Sequence, residues 1–207
     1  MKLIIIGARA MGREACTYAQ EAGFSVKGFL DSKGDALSGF CGYPPILAPV
    51  EDYPIVSGDV FVCALGDPDD RQHYVNVIAA KGGRLVSIVH PTAYVGSNVK
   101  IGSGSIIGPN ATITNDTVLG EHTIVNIGAT ISHDNRIGSF STLCPGCHLA
   151  GRVTIGKKVF VGTGASLVPD VSLGDAVYVA AGAVVTKSFE HGRLMGVPAV
   201  LKCGGVR

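Results

Sequence analysis

The sequence predicts a small α/β domain of the Rossmann-like type, followed by a parallel β-helix. Two observations support this combination. Short apolar segments alternate with helical patterns in the first part of the chain, and an aliphatic residue then returns at every sixth position from residue 95 to residue 185. We expect residues 1–86 to form the α/β domain, and residues 87–207 to form the β-helix with a C-terminal tail.

The alternation in the first part predicts a parallel sheet, because strands that alternate with helices form βαβ units. The first three apolar runs end at Gly7, Asp31 and Gly66, and glycines also follow the helical patterns. We expect strands at residues 3–6, 25–30, 60–65 and 85–89, and helices at residues 11–21 and 69–80.

Ligands of parallel α/β sheets bind beyond the carboxyl ends of the strands, where Gly7, Asp31 and Gly66 stand in this chain. The turn at residues 7–12 lacks the full GxGxxG fingerprint and the lysine of a P-loop. Its backbone N–H groups and the following helix N-terminus can still bind a phosphate, and Asp31 can accept a hydrogen bond from a ribose or a base. A plain tight turn beside a solvated acid explains the same residues, and the sequence alone leaves both interpretations open.

The repeat of six runs without interruption through 91 residues and contains sixteen aliphatic positions. Neither a helical period of about 3.6 nor simple strand alternation produces this pattern, whereas a short fixed repeat is typical of a β-helix. Three repeats would make one triangular coil, which gives about five coils with the aliphatic side chains inside. The sixteen positions are Val95, Ile101, Ile107, Ile113, Leu119, Val125, Ile131, Ile137, Leu143, Leu149, Ile155, Val161, Leu167, Leu173, Val179 and Val185.

Composition narrows the class of protein. A hydrophobic content of 46% with 16% charged residues suffices for a buried core. The net charge of +1 argues against nucleic acid or an anionic membrane as a partner. The sequence contains no run of about eighteen apolar residues, so we expect no membrane span. The apolar run at residues 3–6 is too short for a signal peptide. We therefore expect a cytoplasmic protein whose six cysteines are reduced.

The most informative polar residue of the repeat is His133, which stands two places after an inward aliphatic residue and is followed by Asp134. A histidine is the usual general base near neutral pH, and an adjacent carboxylate can hold its tautomer and stabilise the imidazolium. Asn126 lies seven residues earlier, and we expect it on the same face of the β-helix. A surface histidine beside a surface acid is the alternative interpretation.

The segment from Cys144 to His148 resembles a metal site, because it contains two cysteines and a histidine. Zinc requires about three or four ligands, and no second pair of suitable residues accompanies this segment. Cys147 also occupies the small inward position of its repeat, which predicts core packing. We therefore expect no metal.

Five segments of the chain resemble the hexapeptide-repeat acyltransferases, whose fold is a left-handed β-helix. These segments are IIIGARAMGRE, GFLDS, ALGDPDDR, TISHDNRIGSF and GVPA, and they extend over essentially the whole chain. Within that class the sequence is similar to the group of sialic-acid O-acetyltransferases and UDP-amino-sugar (bacillosamine, perosamine) N-acetyltransferases. The resemblance implies a homotrimer with an acetyl-CoA site in each cleft between neighbouring subunits.

The resemblance also implies roles for particular residues. His133 would take the proton of the attacking amine or hydroxyl, Asp134 would increase its basicity, and Asn126 would help to place the substrate. The backbone N–H of Gly151 would bind the thioester carbonyl as an oxyanion donor. The nucleotide-sugar would bind to Arg9, Ala10, Met11, Asp31, Ser32 and Gly66, and acetyl-CoA would bind to Thr142, Gly151, Thr163, Ala181, Gly196 and Pro198.

Two positions depart from the pattern of this group. Met11 stands where relatives commonly have a histidine after the glycine-rich turn, and a thioether cannot donate to a phosphate. Thr142 stands where many relatives have a second histidine on the acetyl-CoA side, and a hydroxyl cannot act as a base there. Neither departure affects His133 or Asp134, so acetyl transfer remains the expected chemistry.

The sequence therefore predicts an acetyl-CoA-dependent acetyltransferase, with N-acetylation of a nucleotide-linked amino sugar for cell-surface glycans as the leading hypothesis. O-acetylation of sialic acid or of another small acceptor is the second hypothesis. A third, from another class, is a trimeric β-helix that serves as a scaffold or binding protein without catalysis.

Overall fold

The computed structural model describes residues 1–202 and begins with a five-stranded parallel sheet in the strand order β3-β2-β1-β4-β5. Alternate side chains of the central strand pack against helix α1 on one face and helix α2 on the other. The elements are β1 (Lys2–Ile6), α1 (Ala10–Glu21), β2 (Val26–Leu30), β3 (Ile46–Ala48), β4 (Asp59–Cys63), α2 (Pro68–Ala80) and β5 (Arg84–Leu85). The predicted Rossmann-like α/β architecture is confirmed.

Two details of this domain differ from the sequence-based expectation. Strand β3 at Ile46–Ala48 was not predicted, because it has only three residues and all are half-buried. The expectation of a single strand at residues 85–89 is wrong. Val86 N–H donates to Phe61 in the α/β sheet, whereas Ile88 N–H donates to Ser105 in the next domain. One apolar run thus supplies strands to two different sheets.

The second part of the chain is a left-handed parallel β-helix with three flat sides, as predicted. Every strand in the regular part has two residues, and paired strands of the regular part are 18 residues apart, as Thr130 and His148 are. Since each repeat has six residues, three repeats close one coil. The side with the fewest strands has five of them, which agrees with about five coils.

We name the three sides prism sheets 1, 2 and 3 in the order in which the chain reaches them. Prism sheet 1 contains β6 (Ile88–Val89), β9 (Ile106–Ile107), β12 (Ile124–Val125), β15 (Thr142–Leu143), β18 (Phe160–Val161), β21 (Tyr178–Val179), β23 (Arg193–Met195) and β24 (Val200–Lys202). Prism sheet 2 contains β7 (Tyr94–Val95), β10 (Thr112–Ile113), β13 (Thr130–Ile131), β16 (His148–Leu149), β19 (Ser166–Leu167) and β22 (Val184–Val185). Prism sheet 3 contains β8 (Lys100–Ile101), β11 (Val118–Leu119), β14 (Arg136–Ile137), β17 (Thr154–Ile155) and β20 (Ser172–Leu173).

The aliphatic positions of the repeat form one continuous core from Ile107 to Val185. The first two positions differ from the expectation, because Val95 is 38% exposed and Ile101 is half-buried. Both lie on the outermost strands of their sheets, so no further coil covers them. At the other end, Leu194 and Ala199 of the tail are buried and extend the core.

The α/β domain packs on the outer face of prism sheet 1. Ile88, Ile106 and Ile124 point out of the prism and belong to the same apolar cluster as Ala15 and Ala19 of helix α1. This contact fixes the position of the first domain on the coils that precede and contain His133. Neither helix in residues 1–202 is long and apolar enough to cross a bilayer.

Candidate active site

A cavity of about 170 Å³ lies at the carboxyl ends of the strands of the α/β sheet. The structure brings three of the predicted substrate-binding residues, Arg9, Asp31 and Ser32, together in its lining. Sequence reasoning missed Asp70 and Tyr74, which reach the cavity from helix α2. The complete lining is Ile6, Gly7, Arg9, Leu30, Asp31, Ser32, Val50, Leu65, Asp70 and Tyr74.

Asp31 joins the turn after β1 to the end of β2. Its Oδ2 accepts a hydrogen bond from the backbone N–H of Ala8 at 2.9 Å, and its Oδ1 accepts from Lys33 N–H at 2.9 Å. A carboxylate oxygen has more than one lone pair, so both oxygens retain acceptor capacity toward the cavity. Asp31 is therefore a support of the glycine-rich turn as well as a wall of the pocket.

The turn itself depends on two glycines. Gly7 has φ +93°, a backbone conformation that other residues rarely adopt. A Cβ at Gly12 would overlap the carbonyl oxygen of Gly7, so only glycine lets helix α1 start directly against the turn. Arg9 precedes this helix with an extended backbone and no side-chain cap. The helix N-terminus and the exposed Arg9 thus offer N–H donors and positive charge to an anion.

The other predicted substrate-binding residues lie around this turn and outside the lining of the cavity. Ala10 is exposed and starts helix α1, and Met11 is half-buried against the apolar cluster beneath the sheet. Gly66 is exposed next to Leu65, and its carbonyl oxygen accepts from Thr142 Oγ1 at 3.1 Å. Met11 therefore presents no polar group to the pocket.

His133 and Asp134 form a hydrogen-bonded pair at the corner between prism sheets 2 and 3. His133 Nδ1 lies 2.7 Å from Asp134 Oδ2, and both side chains are about half exposed, at 54% and 55%. Asp134 has φ +60°, a left-handed conformation that aspartate tolerates better than most residues. A carboxylate that accepts from Nδ1–H leaves the Nε2 of the imidazole free to accept a proton.

Gly151 lies one coil further along, directly beneath the imidazole of His133. A Cβ at Gly151 would stand 2.7 Å from both Cε1 and Nε2 of the ring, so the glycine backbone and the basic nitrogen are close neighbours. Gly151 is buried, and its N–H has no hydrogen-bond acceptor among the residues that the structure describes. The corner therefore combines a proton acceptor with an unused backbone donor.

Asn126 lies at a different corner from His133. It follows β12 of prism sheet 1, is buried, and its Oδ1 has no partner within residues 1–202. The expectation that Asn126 and His133 share one face of the β-helix is wrong, because three repeats close a coil and residues one repeat apart reach successive corners. These two corners bound prism sheet 2.

Most of the residues predicted for acetyl-CoA lie at the corner of Asn126. Thr163 and Ala181 are exposed there one coil apart, where Gly182 N–H donates to Thr163 at 2.9 Å. Gly196 joins this corner, since its carbonyl accepts from Val184 N–H, and Pro198 follows in the exposed tail segment. The structure thus separates these residues from His133 and Gly151 within one chain.

Thr142 is buried at the junction between the two domains. Its Oγ1 accepts from Arg71 Nη2 at 3.0 Å and donates to the carbonyl of Gly66 at 3.1 Å. Arg71 itself was missed by sequence reasoning, although it ends the ALGDPDDR segment. It is fully buried, and its acceptors lie on both domains.

The Cys144 to His148 segment contributes to the core. Cys147 is fully buried, as predicted from its inward position, and burial raises the pKa of its thiol to about 12. Burial also raises the pKa of Cys144 to about 11, so both sulfurs stay protonated and unreactive. Over the described part of the chain, no cluster of three or more His, Cys, Asp or Glu side chains is arranged to hold a metal ion.

Comparisons with known proteins match this architecture. Residues 2–78 match the PglD N-terminal domain, and residues 87–115 and 152–187 match the bacterial transferase hexapeptide (six repeats). No curated protein matches the chain by sequence.

Three solved structures are similar over nearly their whole length. The acetyltransferase domain of PglB from Neisseria gonorrhoeae is 29% identical, with 97% of this chain and 99% of that one covered and a TM-score of 0.89; it has also been solved with acetyl coenzyme A. PerB from Caulobacter crescentus, in complex with CoA and GDP-perosamine, is 28% identical, with 98% and 97% covered and a TM-score of 0.89. WeeI from Acinetobacter baumannii is 27% identical, with 98% and 100% covered and a TM-score of 0.86.

Both domains and their order therefore agree with one group of enzymes. The chain is an acyltransferase that combines a PglD N-terminal domain with bacterial transferase hexapeptide repeats.

Proposed function

We propose that this acyltransferase moves the acetyl group of acetyl-CoA to the amine of a nucleotide-linked sugar. The observation that carries the proposal is the His133–Asp134 pair next to Gly151, whose N–H has no acceptor within residues 1–202. Two of the similar structures support the choice of substrates, since one contains acetyl coenzyme A and another contains CoA with GDP-perosamine.

The geometry of the corner suits direct transfer. As the amine nitrogen attacks the thioester carbon, Nε2 of His133 takes the proton that this nitrogen loses. Asp134 holds the imidazole through Nδ1–H and stabilises the imidazolium. Gly151 N–H donates to the carbonyl oxygen as negative charge develops on it. Coenzyme A leaves with the electron pair of the carbon–sulfur bond, which completes the amide, and the proton held by His133 then passes to the leaving sulfur.

The cavity of the α/β domain provides the proposed nucleotide site. Arg9 and the N-terminus of helix α1 supply positive charge for a diphosphate, and Asp31 retains acceptor capacity for hydroxyl groups or a base. Met11 gives no polar contact, so Arg9 would take over the role that a histidine has in many relatives.

We also propose that the working enzyme is a homotrimer. The residues assigned to acetyl-CoA lie at one corner of the prism and the base lies at the next. A site that uses both sets is most simply built between neighbouring copies.

The five described cysteines, at positions 16, 41, 63, 144 and 147, are free thiols, which supports the prediction of a reducing cytoplasmic compartment.

The test is a His133→Gln variant assayed with acetyl-CoA and a panel of UDP-, GDP- and dTDP-linked amino sugars. Glutamine keeps much of the size of the side chain but cannot take a proton. We expect kcat to fall by roughly 10²- to 10⁴-fold, with little change in either KM. Release of the free thiol of coenzyme A measures the rate.

The exposed His191, which lies outside the site, gives a matched control as His191→Gln, for which we expect wild-type kcat. Near-wild-type turnover of His133→Gln would overturn the assignment of the base. A product that hydroxylamine cleaves would be an ester and would favour O-acetylation. Absence of transfer to every acceptor would favour a non-catalytic β-helix.

A further inference from the structure

Arg71 lies in a fully buried position at the junction of the two domains. Burial lowers the pKa of its guanidinium to about 10, and the nearby Cys63 and Asp67 act in the opposite direction. A buried charge is costly unless its hydrogen-bonding groups are satisfied. Arg71 satisfies them almost entirely with backbone carbonyl oxygens, an arrangement that ties several chain segments to one side chain.

On the side of the α/β domain, Arg71 holds the rim of the nucleotide cavity. Its Nη1 donates to the carbonyl oxygens of Leu65 and Gly66, in the loop between β4 and α2. Leu65 lines the cavity, and so do Asp70 and Tyr74 on the same helix as Arg71. A shift of Arg71 would therefore move one wall of the pocket.

On the side of the β-helix, Arg71 binds both ends of the coil that carries the proposed base. Its Nε donates to His122 O at 3.0 Å, and its Nη2 donates to the carbonyl oxygen of Phe140. These two residues are 18 positions apart, which is one coil, and their rings stack with centroids 4.9 Å apart. The coil that runs from one to the other contains His133 and Asp134.

The residues around Arg71 add further links across this junction. Thr142 Oγ1 accepts from Arg71 Nη2 and donates to the carbonyl oxygen of Gly66. It therefore links helix α2, the loop between β4 and α2, and strand β15. Burial and the charge of Arg71 lower the pKa of His122, while Glu121 acts in the opposite direction. The planar guanidinium uses all of its nitrogens in fixed directions, which the single ammonium of a lysine cannot reproduce.

We infer that Arg71 is a positioning residue that sets the nucleotide cavity relative to the coil bearing His133, an inference that rests on the proposed function. The amine of a nucleotide-linked sugar reaches the thioester only if the bound nucleotide is held at the correct distance from the base. An error of about 1 Å in such placement can cost roughly 10²-fold in rate. An acceptor without the nucleotide does not use the cavity, so Arg71 should not affect its acetylation.

The experiment compares Arg71→Lys and Thr142→Val with wild type on two acceptors, a nucleotide-linked amino sugar and the same amino sugar without its nucleotide. Arg71→Lys keeps the charge and loses the fork of donors, and Thr142→Val keeps the shape and loses the hydroxyl. We expect kcat/KM for the nucleotide-linked acceptor to fall by roughly 10- to 100-fold in Arg71→Lys and by less in Thr142→Val. In Arg71→Lys the kcat/KM for the second acceptor and the KM for acetyl-CoA should not change, and in Thr142→Val the loss should be larger for the nucleotide-linked acceptor than for the second acceptor.

Asp69→Asn is the matched control. It removes the exposed ion pair with Lys158, at 2.7 Å, which joins the same helix to the prism. We expect no change in either kcat/KM, because a surface pair contributes little. A general loss of stability, by contrast, would lower the rates for both acceptors together.

The outcomes separate the two proposals. If the wild type prefers the nucleotide-linked acceptor and both variants keep that preference, the role of Arg71 is wrong, and the proposed function still stands. Equal loss on both acceptors would also overturn it. If Arg71→Lys does not fold, Thr142→Val decides by the same comparison. A wild type without any preference for the nucleotide-linked acceptor contradicts the proposed function and this role together.

Discussion

The close approach of His133 and Gly151 controls the chemistry proposed for this corner. Gly151→Ala would place a Cβ 2.7 Å from Nε2 and Cε1 of the imidazole, so the ring must move away from its hydrogen bond to Asp134. The backbone of Gly151 does not have a positive φ, so alanine adds a collision without backbone strain. We expect kcat to fall by roughly 10²-fold with little change in thermal stability, as measured by thiol release and circular dichroism.

Gly34→Ala is the control for this change, because a Cβ there meets no atom within 4 Å and the backbone does not have a positive φ. We expect wild-type rates for Gly34→Ala. If Gly151→Ala keeps the wild-type kcat, the ring does not depend on the space above that glycine, and the proposed geometry of the corner is wrong.

The sequence predicted whether a side chain of the repeat is buried, but it did not predict the contacts of Arg71. The repeat predicted that His133 lies outside the core and that Cys147 lies inside, because position in a repeat of six fixes direction. Arg71 could not be predicted in this way. Its hydrogen-bond acceptors in the β-helix are 51 to 71 positions away in the chain, and no local pattern marks a contact of that length.

At the scale of elements, the start of helix α1 depends on its contact with the turn after β1. In Gly12→Ala the new Cβ overlaps the carbonyl oxygen of Gly7, and a backbone atom cannot move aside as a flexible side chain can. Overpacking of this kind costs roughly 1–3 kcal/mol. We expect the variant to lose about that much free energy of unfolding and to bind the nucleotide more weakly.

Urea denaturation measures the first effect, and calorimetric titration with the nucleotide measures the second. Hydrogen exchange should place the loss of protection at β1 and α1 and leave the prism protected. Glu14→Ala changes an exposed residue of the same helix and should behave as wild type. Unchanged stability and nucleotide affinity in Gly12→Ala would show that α1 can shift freely at its N-terminus.

Elements with a strong period were predictable, and those set by tertiary pairing were not. The coils of the prism and their inward positions followed from the repeat, and the two helices followed from longer patterns. Strand β3 has three residues and no period to detect. Residues 84–89 form one apolar segment, yet Arg84–Leu85 and Ile88–Val89 pair with different sheets. That division depends on which strands lie next to them in space.

At the scale of the whole molecule, the proposed machinery is divided between two corners of one prism. His133 and Gly151 lie between prism sheets 2 and 3, whereas Thr163 and Ala181 lie between prism sheets 1 and 2. A trimer with cyclic symmetry brings a corner of one subunit to a different corner of its neighbour. Each active site would then take its base from one chain and its coenzyme channel from another.

Mixed trimers test this division. We pair His133→Gln, which lacks the base, with Ala181→Trp, which fills the exposed position predicted to line the channel; each variant alone should be nearly inactive. If the site joins two subunits, a random mixture formed by co-expression gives an intact base with probability one half and an intact channel with probability one half. About a quarter of wild-type activity should then return. If both residues serve the same site within one chain, every site contains a defect and no activity returns. A mixture of His133→Gln with the double variant must stay inactive in either case, so recovery in the first mixture comes from sites shared between subunits.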